Sequence, residues 1–387
     1  SGPIRGLYWA DSRAFVVAGS KLYELDSTFA ATELGTLSTS TGWVDMAHGL
    51  LDLVLVDGAN GYVFTLSTNA FAAISDPDFP GARMVGYCNG FFTLNPPDTQ
   101  QFYVTAIDDA SDIDALDYVS AERVPDDLVA HAVIFGEVWL LGSNSTEVWS
   151  ASPSADFPFS RNNGANSDIG CLAAFSVQTL DSGLIMLARD KNGGGFVVRS
   201  EGLQLRRIST QAVEQSISAS SDLAGAVAWS YQRNGLTFYC LNVPDVAATW
   251  CYELSTGQWH KRCDLDMNGQ FKQFRVTHHV YAHGINAVFD ADGEVYELDP
   301  ETTNFDGDPI VRERVSPNNV TPMRDRQFFS EFALDATTGG AAQGQEYYAE
   351  LSYSNDGGKT WGTPMLRSLG RVGEYFARAL WSRLGSG

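Results

Sequence analysis

Gly136-Glu137-Val138-Trp139-Leu140-Leu141-Gly142-Ser143-Asn144-Ser145-Thr146-Glu147-Val148-Trp149-Ser150 is the stretch from which the fold can be read. Two β-rich runs, Glu137–Leu141 and Thr146–Ser150, flank the turn-forming Gly142-Ser143-Asn144-Ser145, and a short loop containing Gly between such runs predicts a hairpin. Val138 and Leu140 alternate with Trp139 and Leu141, so both faces of the first strand are largely apolar. A strand of that kind suits the inside of a stack of sheets better than a sheet with one wet face. The second strand ends in an aromatic residue followed by small polar ones.

That ending recurs. Tyr23-Glu24-Leu25-Asp26, Tyr252-Glu253-Leu254-Ser255 and Tyr296-Glu297-Leu298-Asp299 are near-copies, each closing a short β-rich run. Weaker relatives are Tyr62-Val63-Phe64, Phe102-Tyr103-Val104, Glu147-Val148-Trp149 and Phe196-Val197-Val198. Anchors at 23, 62, 103, 149, 198, 252 and 296 are separated by 39, 41, 46, 49, 54 and 44 residues. A repeat of about 40–50 residues built from short strands is the period of a β-propeller blade. The chain is therefore expected to be all-β, with a propeller of about seven blades. The weak copies leave six or eight open, and a large sandwich with evenly spaced turns is the competing architecture.

Composition agrees with a globular all-β chain. Of 387 residues, 44% are apolar and 19% charged, which separates the sequence from disordered ones. Its 37 glycines and 46 aromatic residues (22 Phe, 15 Tyr, 9 Trp) fit a fold rich in turns and strands. No run of 18 apolar residues predicts a membrane-spanning helix. The start, Ser1-Gly2-Pro3-Ile4-Arg5, has neither a signal-peptide pattern nor an initiator methionine, and reads as the start of a fragment or processed product. Cys88, Cys171, Cys240, Cys251 and Cys263 are odd in number and none are spaced Cys-x-x-Cys, so they predict neither a disulfide framework nor a zinc site. Isolated cysteines of this kind behave as small buried hydrophobes, which fits assembly in a reducing cytoplasm.

Charge divides the chain. Residues 310–387 hold 9 Lys/Arg against 8 Asp/Glu, leaving 16 against 39 in residues 1–309, a net of −23. Such a surface repels nucleic-acid phosphates. After Leu298 the texture also changes, and Pro300–Pro322 is rich in Pro, Asp, Asn and Thr. The expected organisation is a propeller over 1–302, a linker over 303–322, and a β-sandwich-like domain over 323–387 that is cut before its last strands. Within it, strands are expected at Phe328–Leu334, Tyr347–Ser354 and Gly362–Leu369. Within the propeller region, Pro153–Asn166 reads as a long surface loop, residues 211–229 as helical, and Asp108–Asp117 as an acidic loop with a helical turn.

No catalytic constellation is found, and no catalytic, cofactor-binding or metal-binding residue is assigned. Ser354-Asn355-Asp356-Gly357-Gly358-Lys359-Thr360-Trp361 matches an Asp-box, in which Asp356 accepts backbone N–H groups, the glycines take positive φ and Trp361 packs beneath. Sialidases carry several such boxes, where they are structural, so a single box reads as a turn. Asp108, Asp109, Asp112, Asp114 and Asp117 lack the Gly and terminal Glu of an EF-hand loop and read as solvated. Asp290-Ala291-Asp292-Gly293 reads as a turn. His279 and His283 would align on a helix, but the Val and Tyr around them and His278 favour a strand.

At residues 119–150 the sequence meets a known pattern. Val119-Ser120-Ala121-Glu122, Pro125-Asp126, Leu128-Val129-Ala130, Glu137-Val138-Trp139-Leu140, Gly142-Ser143 and Ser145-Thr146-Glu147-Val148-Trp149 resemble the packaged-DNA stabilisation proteins of short-tailed bacteriophages, also called tail accessory or head-closure factors. Gly19-Ser20-Lys21-Leu22-Tyr23, Met46-Ala47-His48-Gly49 and Gly370-Arg371-Val372-Gly373 extend the resemblance along almost the whole chain, while both ends depart from it. The resemblance implies a non-enzymatic virion protein of the head-tail junction, assembled in the host cytoplasm, without cofactor or membrane. It implies a homo-hexameric ring beneath the portal and its adaptor, which closes the DNA exit channel, lets DNA pass without specific binding, and attaches the tail needle and tailspikes. The alternative function is a glycan-binding or sialidase-like phage propeller, which a close set of arginines able to hold a carboxylate would favour. A third is a cellular protein-interaction propeller.

Overall fold

The computed structural model describes residues 2–386 apart from 122–123, 153–156, 181–182, 303, 306, 320–322 and 324. It forms two compact units, Ser1–Glu301 and Thr302–Gly387. The first unit contains seven antiparallel meanders, each with its strand ladders confined to itself. Six have four or five strands, and the last, Val276–Ala282, Ile285–Asp290 and Val295–Glu297, has three. Self-contained meanders rule out the single large sandwich. The count among the described residues is seven blades.

The repeat read from the sequence has a structural meaning. Tyr23, Tyr62, Tyr103, Trp149, Val198, Tyr252 and Tyr296 each lie in the third strand of their blade, from Lys21–Leu25 through Thr146–Ala151 to Val295–Glu297. The second strands explain why the blades assemble. In the opening hairpin, Glu137–Gly142 pairs with Thr146–Ala151, with Leu141 opposite Thr146 and Val138 opposite Trp149. Trp139 and Leu141 enter the apolar core shared with blade 5, whereas Val138 and Leu140 enter the core shared with blade 3. Leu53 and Leu55 likewise face blade 1, while Val54 and Val56 face blade 3. A sheet apolar on both faces needs a neighbour on each side.

Seven cores result, one at each junction between successive blades. The core that closes the ring joins Val280, Ala282, Ala287 and Phe289 of blade 7 to Ala14, Val16 and Leu25 of blade 1.

Three sequence expectations are corrected. Residues 159–166, expected in a loop, belong to Phe159–Ser167, the outermost strand of blade 4, paired with Thr146–Ala151. Its Ser, Arg and Asn side chains are polar because an outer strand faces solvent; residues 153–156 of that expectation lie outside the described ones. Of the helical stretch 211–229, only Gln211–Ile217 is helix, seated by Val213 and Ile217, and from Val227 the chain is the inner strand of blade 6. Asp108–Asp117 has turns but no helix, and its buried Ala110 and Ile113 anchor it in the core between blades 2 and 3.

In the second unit, Asn304–Phe305 pairs with Asp308–Pro309. Phe328–Leu334 pairs with Ala379–Ser386, and Tyr348–Leu351 with Met365–Ser368. Trp381 is fully buried, and its indole Nε1 donates to the Met365 carbonyl at 2.7 Å, tying the two small sheets together.

Phe289→Ala tests the closing core. Loss of a buried phenylalanine there should cost about 3–5 kcal/mol, read as a lower denaturant midpoint with unchanged slope.

Candidate functional site

The first strands of successive blades lie side by side around the ring, including that of blade 7 beside that of blade 1. At one level aromatic rings meet in the middle. Trp43, on the connection from blade 1 to blade 2, stacks on Phe175 of blade 5 with ring centroids 5.0 Å apart, and packs at a tilt against His278 of blade 7 at 4.5 Å. Blade 5 neighbours neither blade 7 nor the two blades that Trp43 connects, so the three rings meet across the propeller axis. Burial pushes the His278 imidazole down to about 3, which keeps it neutral, and Thr277 Oγ1 lies 2.8 Å from its Nδ1. The stack thus places three uncharged rings at the axis.

The histidine cluster does not converge. His278 and His279 lie on opposite faces of Val276–Ala282; His279 Nε2 contacts Asn286 Oδ1 at 2.9 Å, and His283, in the following turn, contacts the Leu25 carbonyl at 3.1 Å. The acidic loop is divided among local turns. Tyr87 donates to Asp108, Ser111 to Asp109, and the Leu116 N–H to Asp114. Asp290 Oδ1 accepts the N–H groups of Asp292, Gly293 and Glu294, a turn as expected. Among the described residues no three His, Cys, Asp or Glu side chains gather as a metal site.

The Asp-box is also a turn. Asp356 Oδ1 accepts the N–H groups of Lys359 and Thr360, while Oδ2 accepts the Thr360 hydroxyl. These bonds, with the Thr360 hydroxyl foremost, hold the Asp356 carboxyl well below its ordinary range. Trp361 departs from the expectation: it is 51% exposed and does not pack beneath.

The residues carrying the family resemblance build a buried polar knot. Asp126 Oδ2 accepts the N–H groups of Asn144 and Ser145 at 2.5 and 3.1 Å, and Oδ1 accepts the Ser145 hydroxyl at 2.9 Å. Gly142 leaves room for that carboxylate, since a Cβ there would stand 2.5 Å from Asp126 Oδ2. The same turn reaches the next blade: Arg189 Nε donates to the Ser143 carbonyl at 2.6 Å, and Thr146 Oγ1 to the Ile169 carbonyl at 2.7 Å. Glu147, buried beside them, accepts from Trp149 Nε1 at 3.2 Å and faces Arg161 at 3.7 Å. Asp126 stands out in the sequence only through the family resemblance, because its distance along the chain from the turn hides the contact.

The adjacent basic pairs are committed elsewhere. Arg206 pairs with Glu201 and Arg207 with Glu214. Lys261 lies 4.9 Å over the Trp250 ring, whereas Arg262, on the other face of its strand, bonds the Tyr231 hydroxyl. Neither pair forms a free carboxylate clamp. In the second unit, Phe328 (79% exposed), Tyr375 (69%) and Phe376 (98%) lie at the surface. Among the described residues no helix is long and apolar enough to cross a membrane.

These features define an all-β protein, a seven-bladed propeller followed by a second β-rich unit. The family described as bacteriophage P22 Gp10, beta-propeller, matches residues 1–303, and its partner, bacteriophage P22 Gp10, beta-sandwich, matches residues 320–387. The chain belongs to this family of phage structural proteins, named for stabilisation of packaged DNA. No curated relative matches it. Two solved structures of the extracellular domain of BT4673 from B. thetaiotaomicron are similar at 9% identity with TM-scores of 0.52 and 0.51, covering 90% and 88% of this chain and 43% and 44% of theirs. The N-terminal domain of Nup159 is similar at 7% identity with a TM-score of 0.48, covering 76% of this chain and 88% of its own. At these identities the two BT4673 structures show the propeller fold alone.

Two outcomes follow from the buried polar groups. Asp126→Ala removes three bonds and leaves two turn N–H groups without their acceptor, and should cost about 2–4 kcal/mol in equilibrium unfolding. Burial also lowers His131 to about 4, His278 to about 3 and His279 to about 4. The unfolded chain, with imidazoles near 6.5, takes up protons first as pH falls, so each histidine costs about 3–5 kcal/mol of stability between pH 6.5 and its folded value. Asp45, pushed up to about 7 by burial, acts in the opposite sense, losing stability as pH rises towards 7. Three imidazoles outweigh one carboxyl. Denaturant midpoints should therefore fall from pH 6.5 to 4, and fall less steeply in His131→Gln.

Proposed function

We propose that this chain is a non-enzymatic structural component of the phage head-tail junction. In this reading six copies form a ring beneath the portal and its adaptor, close the DNA exit channel after packaging, and provide attachment for the tail needle and tailspikes. The observation that carries it is the pair of family matches over residues 1–303 and 320–387, which take in both the propeller and the sandwich.

The physical chemistry supports the reading at two points. A wall past which DNA must travel is served by a surface that does not bind phosphate, and residues 1–309 carry a net charge of −23. The Trp43 stack places uncharged rings at the axis of the single propeller. The channel of the assembly is then the space enclosed by the ring, bounded by outer surfaces of the subunits. Such a ring requires heterologous contacts that close after six copies.

The test is the mass of the purified chain alone and with a portal–adaptor complex. The expected result is a stable hexamer, or a monomer that joins the complex six at a time. A monomer that ignores the complex and binds or cleaves a glycan would overturn the reading.

A further inference from the structure

Cys240 and Cys251 face each other across the second and third strands of blade 6, Leu236–Asn242 and Thr249–Glu253. Their sulfurs are 3.0 Å apart and both side chains are fully buried. The ladder fixes the kind of site they occupy. Leu254 N–H donates to the Thr237 carbonyl, so 237 and 254 are a hydrogen-bonded pair. Alternation along an antiparallel ladder then makes Tyr239 and Tyr252 hydrogen-bonded, and Cys240 and Cys251 a non-hydrogen-bonded pair. Residues at such a pair have Cα atoms about 4.5 Å apart, at the short end of the range that a disulfide spans. Joining the sulfurs, at about 2.0 Å, takes an approach of about 1 Å.

The surroundings favour reaction at one sulfur. On the next strand, His260 lies directly opposite Cys251, and Arg262 is two residues on, pointing to the same face. Arg262 bonds the Tyr231 hydroxyl and lies 5.1 Å from that ring's centroid. Burial opposes a thiolate at Cys251, but the contact with Cys240, the Arg262 guanidinium and His260 together outweigh it and lower the thiol below its ordinary value. Cys240 is raised, chiefly by burial, and keeps its proton. An unequal thiol pair beside a cation is the arrangement in which one sulfur attacks and the other resolves.

We propose that Cys240 and Cys251 are an oxidation site, a latent cross-strand disulfide that closes on exposure to a peroxide. The Cys251 thiolate attacks one peroxide oxygen, breaking the O–O bond and forming a sulfenic acid, and the other oxygen leaves as water. Cys240 sulfur displaces the sulfenic oxygen as a second water and the S–S bond forms. Two thiols are oxidised, one peroxide is reduced, and two waters are released. A small peroxide matches the burial, since a bulky disulfide could not reach either sulfur without opening the blade. The proposal does not depend on the place of the chain in a virion.

The test uses the folded full chain. It is treated with hydrogen peroxide, quenched, alkylated in denaturant and digested with trypsin. Residues 234–261 form one tryptic peptide holding both of these cysteines and no other. The expected result is that this peptide becomes about 2 Da lighter and takes no alkyl group until reduced, while peptides with Cys88 and Cys171 are alkylated. In Cys240→Ala, Cys251 should instead reach the sulfinic acid, having no resolving partner. Alkylation of both cysteines in the treated wild-type chain, or sulfinic acid at Cys251 with Cys240 alkylated, would overturn the proposal.

Discussion

Every blade of this propeller depends on burying both faces of a twisted sheet, and only a closed ring allows that for all seven. An open row of the same blades would leave two apolar faces in water, those of blade 1 and blade 7. The closing core is made by face packing, with Val280, Ala282, Ala287 and Phe289 meeting Ala14, Val16 and Leu25. Among the described residues no strand of blade 1 is exchanged into blade 7. Side-chain contacts therefore carry the closure, helped by Trp9 and Phe29, each nearly perpendicular to the His283 ring.

Apolar burial brings the faces together but does not fix how far one blade slides on the next. Polar ties between blades supply that. Arg13 reaches the Leu66 carbonyl, Asp45 the Val85 N–H, and Asn95 the His131 ring. Further round, Arg189 bonds Ser143, Gln178 bonds the Ala228 carbonyl, Asn242 bonds the Val276 carbonyl, and His283 meets Leu25. Each junction thus has an apolar core and at least one directional bond. Removing one partner leaves a buried group unsatisfied, which costs more than the bond itself contributes. The Asn95–His131 tie also has a defined proton position. The Met84 N–H donates to Asn95 Oδ1, so that oxygen is the acceptor for His131 Nδ1–H, and Thr93 donates to Nε2.

The sequence made the repeat legible because the third strand of each blade carries an aromatic residue among short apolar or β-branched ones, most clearly in the Tyr-Glu-Leu copies. The two-faced apolar strand at Val138–Leu141 was legible for the same reason: local pattern reports local burial. Register was not. Nothing in the spacing of Cys240 and Cys251 indicates that a hairpin sets them opposite one another, since that depends on the loop Val243–Ala248. Asp126 reaches a turn 18 residues on through the course of the inner strand. Outer strands misled for a different reason. Phe159–Ser167 forms a ladder on one edge only and faces water, so its composition is that of a loop.

The charge pattern and the central stack together limit how such a subunit could serve as part of a channel wall. The Trp43 stack places uncharged rings at the propeller axis at one level, since His278 is held neutral by burial. In the proposed ring, DNA would then meet the acidic exterior of the blades and not their inner strands. Contacts between neighbouring subunits would have to form between surfaces that share a negative charge. Repulsion of this kind weakens with salt, so closure of the ring would favour contacts that are apolar or that use the nearly neutral residues 310–387. The exposed Phe328, Tyr375 and Phe376 lie within that neutral part of the chain.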